Sequence, residues 1–283
     1  MRNRLSLFTV PYVVWMALLV VAPVIMVVIY AFTSNAGSFT LDNFSDMGAY
    51  VSIFSRSFQL AIVATLVCLL IGYPVAYAMA KEGPGFQRIA MVLIMLPMWV
   101  NFLLRTYSWM AILENNGLLN QFFSAIGLFD LVNGLFGTDI QYFRMIRTQG
   151  AVVLGMVYNY LPFMILPIYT AMTKIDNSVI EAAQDLGCNV WQILFRVLVP
   201  LTGPGIATGI TQVFVPAVST FIISRMLGGG SNLLIGDLIE LQFLGNSYNL
   251  NLGSAMSLVL MVIVLLCMSF TSSFDESEME GVM

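Results

Sequence analysis

The chain has 283 residues, 59% of them hydrophobic and only 9% charged, with a formal charge of −4 and a mean hydropathy of +0.89. A soluble domain carries roughly 25% charged residues, so this composition cannot clothe a water-facing surface; it excludes a soluble enzyme and points into the membrane. The lack of any histidine removes the usual proton shuttle, the commonest metal ligand and every histidine-dependent triad, and no basic patch suggests nucleic acid.

A helix needs about 20 apolar residues to cross the hydrocarbon core. Six stretches meet that length: about Leu7 to Phe32, Phe58 to Ala80, Ile89 to Leu113, Ala151 to Met172, Ile206 to Ile223 and Gly253 to Phe270. The first follows Arg2 and Arg4 as a signal peptide would. Its apolar run is too long for one and no cleavage site follows, so it is expected as an uncleaved span with a cytoplasmic N-terminus. That topology puts Arg2, Arg4, Lys81, Arg88, Lys174 and Arg196 inside, and Arg56, Arg105, Arg144, Arg147 and Arg225 outside, a slight positive-inside bias. Leu118 to Ile126 and Leu233 to Glu240 have the pattern of short amphipathic helices at the outer interface. Pro97, Pro162 and Pro167 are expected to loosen spans three and four. Cys68, Cys188 and Cys267 have neither disulfide nor zinc-site spacing. Residues 271–283 form an acidic tail with Asp275, Glu276, Glu278 and Glu280, expected as a solvated, disordered end inside the cell.

The loop between spans four and five, residues 174–205, is the most informative segment. Ser178 followed by Glu181 is a capping-box pattern, Val179, Ala183 and Leu186 share one helical face, and Gly187 can stop the helix. Asn189 and Gln192 begin a second helix, with Trp191, Phe195 and Leu198 on one side and Pro200 as its stop. Ala182 and Ala183 are expected to be exposed, letting another protein's backbone approach.

Glu181-Ala182-Ala183, Gly187 and Val197-Leu198-Val199-Pro200 together resemble the E-A-A-x3-G-x9-I-x-L-P signature of binding-protein-dependent ABC importer permeases, with valines where the pattern favours isoleucine and leucine. The resemblance covers nearly the whole chain. Gly72-Tyr73-Pro74, Leu96-Pro97-Met98-Trp99, Leu104-Arg105-Thr106-Tyr107-Ser108-Trp109, Asn115 to Asn120, Leu161 to Pro167 and Gly228 to Gly236 are similar to the polyamine (spermidine/putrescine) branch. Ferric-iron, phosphonate and sulfate permeases share parts of these motifs. The resemblance implies an all-α, six-transmembrane-helix type I importer permease, one domain over 1–283, in a bacterial inner or cytoplasmic membrane with both termini cytoplasmic. It further implies that Glu181, Ala182, Ala183, Gly187 and Pro200 belong to a coupling helix that docks in a groove of a cytoplasmic ATPase, with Glu181 facing a basic residue there. The implied partners are a second homologous permease, two copies of the ATPase and an extracytoplasmic polyamine-binding protein.

The sequence contains no G-x4-G-K-[ST] phosphate loop, so ATP and magnesium are expected on the ATPase and no cofactor, metal or catalytic residue on this chain. A polyamine path calls for acids, carbonyls or aromatic faces. Candidates are Trp99, Tyr107, Trp109, Glu114, Tyr158, Tyr160, Asp237 and Glu240. Interfacial anchoring is the alternative for the aromatics, and a solvated outer face for Asp237 and Glu240. An ion-coupled transporter or channel would usually show a mid-membrane acid or paired broken helices, and an intramembrane enzyme an H-E-x-x-H or G-x-S-x-G motif; the spans are nearly free of acids and neither motif occurs.

Overall fold

In a computed structural model, the protein is described over residues 10–34, 36–230, 232–245 and 248–280, with side chains at 136 and 270–280 outside the description. In chain order the helices are α1 (Val10–Ala31), α2 (Asp42–Lys81), α3 (Pro84–Trp99), α4 (Phe102–Leu113), α5 (Leu118–Ala125), α6 (Leu128–Phe136), α7 (Gln149–Met172), α8 (Asn177–Asp185), α9 (Val190–Leu201), α10 (Gly203–Ser219), α11 (Ile222–Gly228), α12 (Ile235–Leu244) and α13 (Leu250–Glu280). Among the described residues there is no strand, only an isolated bridge between Thr33 and Phe39. Four helical stretches, those of α1, α2, α7 and α13, are long and apolar enough to cross a membrane, and six spans result if each of two bent pairs counts as one.

Those bent pairs correct two expected spans. The third breaks at Val100 and Asn101, where α3 and the helix beginning at Phe102 meet at 89°. Asn101 caps α4, its side-chain oxygen accepting from Leu103 N at 2.9 Å, so the chain gains a new helix start where a straight rod was expected. The fifth span is α10, which stops at Ser219; α9 meets it at 72° and α11 begins after a second break. By contrast α7 runs unbroken through Pro162 and Pro167, so these residues remove hydrogen bonds without ending the helix. The acidic tail, expected to be disordered, continues the backbone of α13 as helix to Glu280. Its side chains, together with Arg2, Arg4, the first residues of span one, Ser231 and 281–283, lie outside the described residues.

The chain divides into two compact units. The first comprises Met1–Phe54 and Leu238–Leu265. Here the last carbonyls of α1 need partners that the helix cannot supply. Asn43 donates to Ala31 O (2.9 Å) and Thr33 O (3.0 Å), and Asn251 donates to Tyr30 O at 3.0 Å. Leu238, Leu252 and Met256 pack with Met47, Tyr50 and Ile53.

The second unit is Ser55–Asp237 with Leu266–Met283. Its core joins Cys68, Tyr73, Ala76 and Met79 of α2 to Met164, Ile165, Ile168 and Met172 of α7 and Val213 of α10. α7 and α10 approach closely because Gly205 and Gly209 are one turn apart. A Cβ on Gly205 would lie 2.6 Å from Ala171 Cβ, and one on Gly209 would lie 2.8 Å from Met164 Sδ. This is the small-residue packing by which membrane helices bring their backbones together.

Candidate functional site

The segment after α7 folds into two short helices around a glycine turn. Asp176, not Ser178, is the N-cap of α8: its carboxylate accepts from Ser178 N at 3.0 Å. The acceptor two residues upstream displaces the expected Ser178–Glu181 box. Hydrogen bonds from the Ser178 backbone, then its hydroxyl, hold the Asp176 carboxyl below its ordinary value of 3.8. A lowered carboxyl favours the folded loop above that ordinary value, and its contribution is lost only as pH falls through the lowered one.

Gly187 has φ +79°, the left-handed conformation that glycine adopts without a steric penalty. Gly187 N donates to Gln184 O (2.8 Å) and Cys188 N to Ala183 O (3.1 Å), a Schellman closure of α8. The expected capping box of the next helix is present, with Asn189 N donating to Gln192 Oε1 (2.8 Å) and Gln192 N to Asn189 Oδ1 (2.9 Å). Pro200 does not stop α9 at once. A π-turn over Leu194–Leu198 precedes it, and the helix ends at Leu201.

Burial sorts the loop residues differently from their helical phase. Ala183 is buried against Ile193 and Leu198, correcting the expectation of an exposed pair; Ala182 and Glu181 are exposed. Leu198 is likewise buried, leaving the face it was expected to share with Trp191 and Phe195. Instead Leu186 (85% exposed), Val190 (70%), Trp191 (67%) and Phe195 (63%) form an apolar knuckle around the turn, with the Trp191 and Phe195 rings stacked at 6.1 Å. Leu186 and Val190 were not singled out as exposed apolar groups, although two large aliphatics flanking a glycine in a loop were a usable signal. A cavity of about 550 Å³ beside α8 gathers Glu181, Gln184, Lys81 and Glu82.

The expected path residues are dispersed. Trp99 ends α3, 81% exposed. Trp109 meets Tyr158 edge-on at 5.3 Å, and the Tyr160 hydroxyl donates to Pro216 O at 3.3 Å, linking α7 to α10. Tyr107 and Glu114 share a cavity of about 970 Å³ near the N-terminus of α7, but so do Arg144, Arg147 and Arg225. At an effective dielectric near 20, a cation about 8 Å from one arginine is disfavoured by about 2 kcal/mol, so even with Arg225 offset by Asp237, Arg144 and Arg147 against one acid make a poor cation site. Arg147 is the one described non-glycine residue with positive φ (62°), held by its N–H on Leu227 O (2.8 Å) and by Asn232 donating to its carbonyl (3.0 Å).

Asp237 requires a correction. It is fully buried, accepting from Ser224 Oγ (2.5 Å) and Leu234 N (3.0 Å), with Arg225 Nε at 3.8 Å from its other oxygen. It therefore neither faces a path nor lies on a solvated surface; it fastens the 224–237 segment. Glu240, three residues on, is half-buried on α12.

Residues 69–275 match the family described as binding-protein-dependent transport system inner membrane component. The chain belongs to this family. Among its relatives, the spermidine/putrescine transport system permease protein PotB of Haemophilus influenzae is 37% identical, covering 94% of this chain and 92% of the relative. PotB of Escherichia coli K12 is 36% identical over 88% and 90%, and the E. coli inner membrane ABC transporter permease protein YdcU 28% identical over 78% and 71%. In fold the permease is similar to a chain of a bacterial ABC transporter that imports alginate, with TM-score 0.78, 16% identity and coverage of 96% and 95%. A chain of the MetNI methionine transporter gives TM-score 0.54 at 17% identity, covering 80% and 94%. The protein is thus an all-α ABC importer permease subunit of the inner membrane type, not the ATPase and not itself an enzyme.

Proposed function

We propose that the chain is one of two permease subunits of an ATP-driven polyamine importer and that its 174–205 loop is the cytoplasmic coupling element. The observation that carries this reading is the knuckle of Leu186, Val190, Trp191 and Phe195, held out on a capped, glycine-closed turn between two spans. Four large apolar groups kept in water are costly unless a partner covers them, and a short helix in a groove is an economical way to do so. The partner is a cytoplasmic ATPase, present in two copies and carrying ATP and magnesium; Glu181, exposed on the same helix, suits a basic residue of its groove. A second homologous permease completes the path.

Polyamine as substrate is supported by relatives named for spermidine and putrescine transport, which match nearly the whole chain at 36–37% identity. With the 174–205 loop in the cytosol, both termini lie there too, and the arginine-lined cavity at the other end of α7 faces outward, about 36 Å away for 24 helical residues. That cavity suits acidic groups of an extracytoplasmic binding protein better than the free cation. The test is uptake by the complete complex in proteoliposomes with ATP inside. Labelled spermidine or putrescine should accumulate only with ATP and binding protein present. Uptake driven by a proton gradient alone, or displaced only by ferric ion, aminoethylphosphonate or sulfate, would overturn the assignment.

A further inference from the structure

A membrane helix wholly exposed to lipid has no reason to carry a polar stripe. α10 carries one. At 100° per residue, Thr208, Gln212 and Ser219 fall within an arc of about 40°. Gln212 and Ser219 are exposed and Thr208 half-exposed. On α7, Pro167 and Thr170 lie one turn apart on the same side, and Lys174 follows in the turn after the helix. The two faces meet in one cavity of about 940 Å³, lined by Pro167, Thr170 and Lys174 on one side and Gly205, Thr208 and Gln212 on the other.

The hydroxyls of the two faces offer acceptors, beside the Gln212 amide, which can accept as well as donate; Ser219 continues the α10 face beyond the cavity. Thr170 Oγ1 donates to Leu166 O (2.8 Å), Thr208 Oγ1 to Pro204 O (2.9 Å) and Ser219 Oγ to Val215 O (3.1 Å). Each hydroxyl proton is spent on the helix backbone, so the oxygen turns only lone pairs outward. Proline adds more acceptors. Pro167 has no N–H for the Phe163 carbonyl, and Pro216 has none for the carbonyl of Gln212, so both oxygens are released along the same stripes. Lys174 and Asp176, of opposite charge, both line the cavity's end.

We propose that Thr170, Thr208, Gln212 and Ser219, with the main-chain oxygens of Phe163 and Gln212, form an acceptor track along which substrate ammonium groups are passed. An ammonium is three donors and no acceptor, the complement of such a lining. Thr208 and Gln212 are about 6 Å apart along the helix, a step that an extended aminobutyl unit can span. The track rests on the polyamine reading, because a donor-poor solute would leave its hydroxyl and carbonyl oxygens unpaired.

The experiment uses the complete reconstituted complex, with Thr170→Val, Thr208→Val and Gln212→Leu in this chain, measuring uptake at saturating binding protein alongside binding-protein-stimulated ATP hydrolysis. Each lost acceptor should lower uptake roughly ten-fold, the scale of one hydrogen bond to a charged group, while ATP hydrolysis persists. In parallel, Thr208→Cys and Gln212→Cys are placed in a chain with Cys68, Cys188 and Cys267 replaced by alanine. A cationic methanethiosulfonate should label both, and spermidine should slow the labelling. Wild-type uptake by the valine and leucine variants, or cysteines that stay unreactive because the stripe is sealed against the second permease, would overturn the track while leaving polyamine import standing. Failure of the unmodified complex to import any polyamine would remove the substrate reading and the track with it.

Discussion

Replacing Gly187 by valine tests the loop at its narrowest point. A Cβ there meets nothing within 4 Å, so no side chain of this permease is crowded and the whole penalty is conformational. At φ +79° an L-residue pays about 1–2 kcal/mol, and a β-branched one sits at the upper end or beyond. If the Schellman closure opens to relieve that strain, the fraction of loops in the docking shape falls by roughly 5- to 30-fold. Asparagine tolerates the left-handed region, so Gly187→Asn should keep most uptake where Gly187→Val loses it. The assay is ATP-dependent spermidine uptake, with membrane content of each variant and recovery of the ATPase on the purified complex measured in parallel. Full uptake by Gly187→Val would refute the reasoning. So would equal failure of valine and asparagine at normal membrane content, because that pattern assigns the glycine to space beneath a partner and not to its turn.

Three further outcomes follow from the geometry. Trp191→Ala with Phe195→Ala should weaken capture of the ATPase by at least ten-fold in titrations of detergent-solubilised permease, since each two-thirds-exposed ring contributes about 1–3 kcal/mol once covered. Asp237→Asn should destabilise the chain by about 2–3 kcal/mol, the low end for a buried pair because Arg225 is half in solvent. It should appear as a lower melting temperature, with the spermidine concentration for half-maximal uptake unchanged in the protein that remains folded. Arg144→Glu with Arg147→Glu should weaken binding-protein stimulation of ATP hydrolysis, and low salt should deepen the defect.

The features written as local chemistry were legible in the sequence. Asn189 and Gln192 announce a capping box and Gly187 announces a stop, each within one or two turns, and six apolar stretches announce the membrane by contiguous composition alone. The break at Asn101 was hidden because one polar residue barely dents a long apolar run, although its capping bond to Leu103 decides where α4 begins. Asp237 was misread as an outward-facing acid because its burial depends on Ser224, thirteen residues earlier across a glycine-rich turn. Ala183 was expected to be exposed with Ala182, and Leu198 to share a face with Trp191 and Phe195, because helical phase says which residues lie together, not which side is covered. That needed the packing of α8 on α9.

The track on α7 and α10 was invisible for a different reason, and the reason bears on mechanism. Threonine, serine and glutamine scattered through an apolar run do not lower its hydropathy enough to attract notice, whereas a carboxylate would. An importer of cations gains from this restraint. A carboxylate about 4 Å from an ammonium holds it by about 4 kcal/mol at an effective dielectric near 20, which slows release by roughly three orders of magnitude. A neutral oxygen holds the same donor by about 1.5–3 kcal/mol, and a ladder of them lets one contact form as another breaks. Charged groups then belong at the two ends. The arginines at the N-terminal end of α7 suit an acidic partner, and Glu181 at the other end suits a basic one, while the spans between carry acceptors without charge.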